Sequence, residues 1–171
     1  EWPTFLSDIT ANGSLVTFNT NSTELVLEDI PYTFNIFIKD LNGKNITKHT
    51  QAVHTQVISD DGLWIAFESP QEDLAANDTN KAMDILLYDI AQEAPARRSM
   101  NYSGKQGDGF SQYPDIKANG SFVVYESVAS NWVPDDTNKY RDIFIIGAAK
   151  KTTERLSMAW DSSQANARCG Q

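Results

Sequence analysis

The stretch Phe67–Ile85, FESPQEDLAANDTNKAMDI, occurs again without a gap as Tyr125–Ile143, YESVASNWVPDDTNKYRDI. Glu68, Ser69, Asp78, Thr79, Asn80, Lys81, Asp84 and Ile85 each return 58 positions later, so that Glu68 becomes Glu126 and Asp84 becomes Asp142. A degenerate copy, Phe18–Ile36, lies 49 positions upstream. A chain built this way is a repeat protein, because one such unit cannot bury its apolar faces alone and must stack on its neighbours.

Each repeat opens with a tight turn: Ala11-Asn12-Gly13-Ser14, Asp60-Asp61-Gly62-Leu63 and Ala118-Asn119-Gly120-Ser121. Asn-Gly and Asp-Gly accept the positive φ values of a two-residue hairpin. The strands that follow, Leu15–Phe18, Trp64–Phe67 and Phe122–Tyr125, are β-branched or aromatic on both faces. An antiparallel strand with one wet face would alternate, so two apolar faces imply sheets held between sheets. After a long loop come third strands at Asn35–Ile38, Asp84–Tyr88 and Asp142–Ile146. Weaker, polar fourth strands are expected near 45–50, 97–101 and 154–158, as partly solvated edges guarded by charge. No stretch carries a capped helical period, so no helix is expected.

Four short antiparallel strands per repeat, stacked face to face, describe a β-propeller blade. The segment Ile58–Ser69, read as I-S-x-D-G-x-W-I-A-F-E-S, resembles the WD40-like (PD40) repeat of TolB-type propellers. The continuation Asp78-Thr79-Asn80 to Asp84-Ile85-Leu86-Leu87-Tyr88-Asp89 resembles a subset of those repeats from bacterial exported and surface proteins. The first repeat departs from the pattern: Asp29 is kept, but Pro31 and Asn35 stand where the motif has Asn and its second Asp. The resemblance covers nearly the whole chain and implies an all-β fold of three four-stranded blades. It also implies an extracytoplasmic location: periplasmic, cell-surface or secreted.

The blades are expected at about 5–50, 55–101 and 112–158, with 159–171 leading toward a next blade. Three blades do not close a ring, since propellers typically need about 4–8. Bare terminal blades would expose large apolar faces. The chain is therefore expected to be a half or fragment of a closed, six-bladed ring. Either a homodimer closes it, as twofold symmetry favours, or the chain is part of a longer one, as its start at Glu1 suggests.

Composition bounds the partners. The 171 residues carry a net charge of −9, which argues against nucleic acid and an anionic membrane surface. No apolar run approaches a spanning helix, and no signal-peptide core opens the chain. Cys169 is the single cysteine, so an intrachain disulfide is ruled out. Six N-x-S/T sequons, at Asn12, Asn21, Asn45, Asn77, Asn101 and Asn119, mark surface loops if glycosylated. Turn chemistry already accounts for Asn12, Asn77 and Asn119.

The sharpest candidate site is Asp78-x-Asn80-x-x-x-Asp84, repeated as Asp136, Asn138 and Asp142. Calcium takes six to eight oxygens, and a tight loop with three oxygen side chains supplies part of such a shell. The competing role is structural, with Asp and Asn folding the loop through its own backbone. Glu68 and Glu126 sit beside apolar strand residues; paired carboxylates serve glycoside hydrolysis, or else they satisfy buried backbone donors. His49 and His54 share one connection without metal-ligand spacing and read as surface histidines. No G-x-S-x-G elbow occurs, and Gly104, Gly107 and Gly109 open no helix, so no phosphate loop is assigned.

Trp64 and Trp132 read as packing residues. Trp160 and its repeat partner Tyr102 are the exposed candidates for stacking on a ligand. The reading that follows is a non-enzymatic scaffold presenting loops to a protein, peptide or glycan. The alternatives are the propeller domain of an extracytoplasmic hydrolase and a calcium-stabilised structural module.

Overall fold

The computed structural model describes residues 5–26, 34–43, 45–51, 55–101, 103–147 and 153–170. Twelve strands form three four-stranded antiparallel sheets among these residues. The first sheet is β1 (Phe5–Ile9), β2 (Leu15–Thr20), β3 (Asn35–Asp40) and β4 (Ile46–Gln51), in that order. The second runs β5 (Gln56–Ile58), β6 (Trp64–Ser69), β7 (Asp84–Asp89) and β8 (Ala94–Arg97). The third runs β9 (Ser111–Ile116), β10 (Phe122–Ser127), β11 (Asp142–Gly147) and β12 (Thr153–Arg155).

The second and third strands pair in the same register in every sheet: Phe18 opposes Phe37, Phe67 opposes Leu86, and Tyr125 opposes Phe144. The expected three four-stranded antiparallel sheets are thus present, and no described residue is helical.

Side-chain alternation divides the middle blade between two cores. One face, Ile65, Phe67, Leu86 and Tyr88, packs with Ile36 and Ile38 of the first blade. The other, Ala66, Ile85 and Leu87, packs with Val123, Tyr125, Phe144 and Ile146 of the third. This is why the strands lack a wet face. Burying a Val, Leu, Ile or Phe side chain contributes about 1.5–3 kcal/mol, so these two seams hold the blades together.

The hairpin glycines complete each seam. Gly62, at φ +73°, lies against Leu15 of the preceding blade, and Gly120, at φ +69°, lies against Trp64. A Cβ on Gly120 would stand 2.6 Å from the Trp64 ring, whereas one on Gly13, at φ +67°, would meet nothing within 4 Å. Both Gly→Ala changes carry the left-handed penalty of about 1–2 kcal/mol. Gly120→Ala is therefore expected to lower the denaturant midpoint more than Gly13→Ala does. Equal losses would show that the seam does not depend on this contact.

Two expectations are corrected. The fourth strand of the second blade ends at Arg97, because the Arg98 and Ser99 amides both turn to the Ile85 carbonyl, 2.7 and 3.2 Å away. The chain then leaves the sheet, and Met100 bridges to Gln106. The charged edge also fails as a solvated guard at Arg97, which is buried, and at Arg155, whose side chain is only 5% exposed. Their guanidinium groups turn inward toward the long loops.

Candidate functional site

The long loops between second and third strands meet the connections between blades at one end of the sheets. The structure brings Asp78, Asn80 and Asp84 together there. The Arg97 guanidinium lies between the two carboxylates, with Nη2 3.0 Å from Asp78 Oδ2 and Nε 3.0 Å from Asp84 Oδ2. These are close ion pairs rather than aligned hydrogen bonds. The Ser99 hydroxyl donates to Asp84 Oδ1 at 2.6 Å and accepts the Ile85 amide at 3.1 Å.

The third blade repeats the arrangement. Arg155 Nη1 donates to Asp136 Oδ1 and Asp142 Oδ2, each at 3.4 Å, and the Ser157 hydroxyl donates to Asp142 Oδ1 at 2.6 Å. Burial pushes the Asp84 carboxyl up to about 6; Ser99 and Arg97 oppose the shift, and neighbouring Asp78 adds to it. Asp136 is raised for the same first reason, with Arg155 opposing.

Asn80 and Asn138 act as turn-formers. Asn80 Oδ1 accepts the Ala82 amide, and Asn138 Oδ1 accepts the Tyr140 amide. Gln106 Oε1 accepts the Thr79 and Asn80 amides, and Gln164 Oε1 does the same for Thr137 and Asn138. Each loop is thus tied to the connection that follows its own blade. The positive charge between the paired carboxylates is arginine's. Among the described residues no three His, Cys, Asp or Glu side chains converge as a metal-ligand set.

Glu68 and Glu126 are buried, and their roles differ. Glu68 Oε2 accepts the Tyr113 amide at 2.9 Å, reaching from the second blade to the inner strand of the third. Glu126 pairs with Arg141 at 2.9 Å.

Around that pair the repeat breaks down. Arg141 corresponds to Met83 and Phe34 in the other blades, and Phe110 to Ala52. The Arg141 guanidinium lies 5.6 Å from the Phe110 ring centre and 5.8 Å from that of Tyr113, and Nη2 donates to Gln112 Oε1 at 3.2 Å. Phe110 is 40% exposed and Tyr113 41%. Tyr113 also has φ +53°, a left-handed conformation uncommon for a bulky residue. Strain of that kind persists only where the surroundings fix it; here the Glu68 carboxylate and the irregular pairing of β9 with β10 do so.

The other candidates separate cleanly. Trp132 is fully buried and Trp64 half-buried, as packing residues. Trp160 is 98% exposed and free to stack, while Tyr102 lies outside the described residues, as do His54, Asp29 and Pro31. His49 is half-buried rather than at the surface, with Nδ1 3.3 Å from the Tyr88 hydroxyl of the next blade. Burial lowers its pKa, opposed by Glu93. Asn101 is buried, with Oδ1 accepting the Ser103 and Lys105 amides and Nδ2 donating to the Asn131 carbonyl, so this sequon is not an open surface site. Among the described residues no helix is long and apolar enough to cross a membrane.

No family model matches the chain, and no curated protein matches it. Solved structures do. A putative TolB from Agrobacterium tumefaciens superposes with a TM-score of 0.56 at 16% identity, over 90% of this chain and 49% of its own. TolB from Acinetobacter baumannii gives 0.57 at 14%, over 91% of this chain and 33% of its own. The β-propeller domain of the Trilobed protease from Pyrococcus furiosus gives 0.58 at 16%, over 90% and 42%. This chain therefore spans half or less of each of these structures. At these identities the likeness is one of fold: the three sheets are blades of a β-propeller, as in these structures.

Proposed function

Taking the β-propeller fold as premise, we propose that the chain is a non-enzymatic binding scaffold of an extracytoplasmic protein. It presents its loop end to a protein, peptide or glycan, with a second copy completing a six-bladed ring. One observation carries the binding role. The carboxylates that recur from blade to blade are committed to the frame, Asp78 and Asp84 to Arg97, Asp136 and Asp142 to Arg155. What departs from the repeat at the surface is Phe110 and Tyr113 around Arg141, and aromatic residues with arginine are the residue types that dominate recognition surfaces.

Assay against model peptide, ester and glycoside substrates is expected to show no turnover. Turnover lost on Glu68→Gln or Glu126→Gln would overturn the proposal in favour of a hydrolase propeller. Light scattering is expected to give the mass of two 19.1 kDa chains, and a stable monomer would remove the ring-closing copy from the proposal. A calcium-dependent rise in melting temperature, abolished by Asp136→Ala, would assign the Asp-x-Asn loops to a metal in place of arginine alone.

A further inference from the structure

The loop of the second blade and the head of the third enclose a groove of about 480 Å³, lined by Lys81, Ala82, Met83, Phe110, Gln112 and Arg141, with Gly109 at its side. Its floor is apolar, from Met83, Ala82 and the Phe110 ring. Its polar groups are donors. Gln112 Oε1 accepts from Arg141 Nη2, which leaves its amide Nε2 as the donor, and Lys81 brings an exposed ammonium. Two buried carboxylates lie beside it: Glu126 is paired with Arg141, and Glu68 accepts the Tyr113 amide. The Lys81 ammonium is therefore the charge left in the lining for a ligand.

Lys81 returns as Lys139, but the rest of the polar lining is particular to this pair of blades. Gln112 corresponds to His54 of the second blade, just as Arg141 corresponds to Met83. A demand of the blade frame would be met alike in every repeat, and this one is not.

We propose that this groove binds an acidic peptide, seating an apolar side chain on Met83 and Phe110 and a carboxylate against Lys81 and the Gln112 amide. The proposal rests on the binding-scaffold reading above and names its partner. Fixed donors around an apolar floor select an acceptor attached to an apolar group. The strained Tyr113 backbone and the Arg141–Glu126 pair hold Gln112 and Phe110 in place beforehand, which lowers the ordering cost of binding. The net charge of −9 opposes an acidic peptide on average over the surface, so that binding depends on these local donors.

The test is fluorescence anisotropy of the whole chain with a fluorescein-labelled peptide of alternating Leu and Asp, its Leu-Asn counterpart, and a neutral cello-oligosaccharide as competitor. The Leu-Asp peptide is expected to bind saturably and the Leu-Asn peptide far more weakly. Lys81→Glu and Phe110→Ala, both at exposed positions, are each expected to weaken binding by about tenfold or more, the scale of one charge-assisted hydrogen bond or one apolar anchor. Circular dichroism checks that the variants fold.

Equal binding of the two peptides, or no effect of Lys81→Glu, would overturn the groove as the site. Binding of the oligosaccharide without the peptide would overturn the acidic-peptide proposal and leave the scaffold reading standing. Turnover of a model substrate would instead remove the scaffold reading itself.

Discussion

Replacing Arg97 with alanine is expected to lower unfolding free energy by about 3–5 kcal/mol, the scale on which a buried ion pair fails when one partner is removed. The substitution leaves Asp78 and Asp84, with side chains 3% and 1% exposed, facing one another without their cation. Two carboxylates cannot share a dry site at full charge, so one must take up a proton or the loop must open to water.

The sign of the pH dependence follows. Asp84 already titrates at about 6 in the folded chain, above its ordinary 3.8. A raised carboxyl favours the folded state most below 3.8, and this contribution is lost as pH rises to about 6, beyond which the curve is flat for this group. Without Arg97 the Asp84 carboxyl rises further, so the deficit is expected to be larger at pH 7.5 than at pH 5. Arg97→Lys keeps the charge without the planar fork and should recover part of the loss. Arg155→Ala should cost less, its contacts being 3.4 rather than 3.0 Å. Urea denaturation at the two pH values measures all of these; a loss below about 1 kcal/mol, the range of an exposed pair, would show that the clamp is not a buried one.

The second large effect is expected at Trp132→Ala. The indole is fully buried, its ring centre 6.2 Å from Tyr125 and 6.4 Å from Phe144, and its Nε1 donates to Ser127 Oγ at 2.8 Å. It also fills the space left by Gly107, where a Cβ would stand 2.6 Å from the ring. Truncating a buried Trp to Ala typically costs about 3–5 kcal/mol. In a chain of 171 residues each kcal/mol moves the melting temperature by about 2–4 °C. Trp132→Phe keeps most of the apolar volume and should cost markedly less. The Ser127 hydroxyl still donates to the Phe110 carbonyl, so the lost indole bond leaves no isolated buried group. A calorimetric shift of only a degree or two for the alanine variant would place the second seam's stability elsewhere.

These two side chains show how unevenly the site could be read in the sequence. Trp132 stood at the position of Leu74 and Leu25, an apolar place in every repeat, and its packing role was legible. Arg97 was not, although the signal was available: it returns as Arg155 at the same offset of 58 that relates Ser99 to Ser157 and Gln106 to Gln164. A polar outer strand reads as a solvated edge, and nothing in the spacing of Asp78, Asn80 and Asp84 says which cation will stand between them. Glu68 was legible as a partner for a buried donor, but that the donor is the Tyr113 amide of the next blade was not.

The sequence by itself determined the blades. Repetition at a fixed offset, hairpin turns at Asn12-Gly13, Asp61-Gly62 and Asn119-Gly120, and strands apolar on both faces leave stacked four-stranded sheets as the way to bury such surfaces. Only the tertiary structure decided which side chains meet across the seams and loops. The guanidinium of Arg97 reaches its carboxylates across the sheet end, and Phe110, Gln112, Tyr113 and Arg141 gather from two separate segments. Periodicity records what each blade requires of itself, whereas contacts between distant segments depend on how the blades are set against one another.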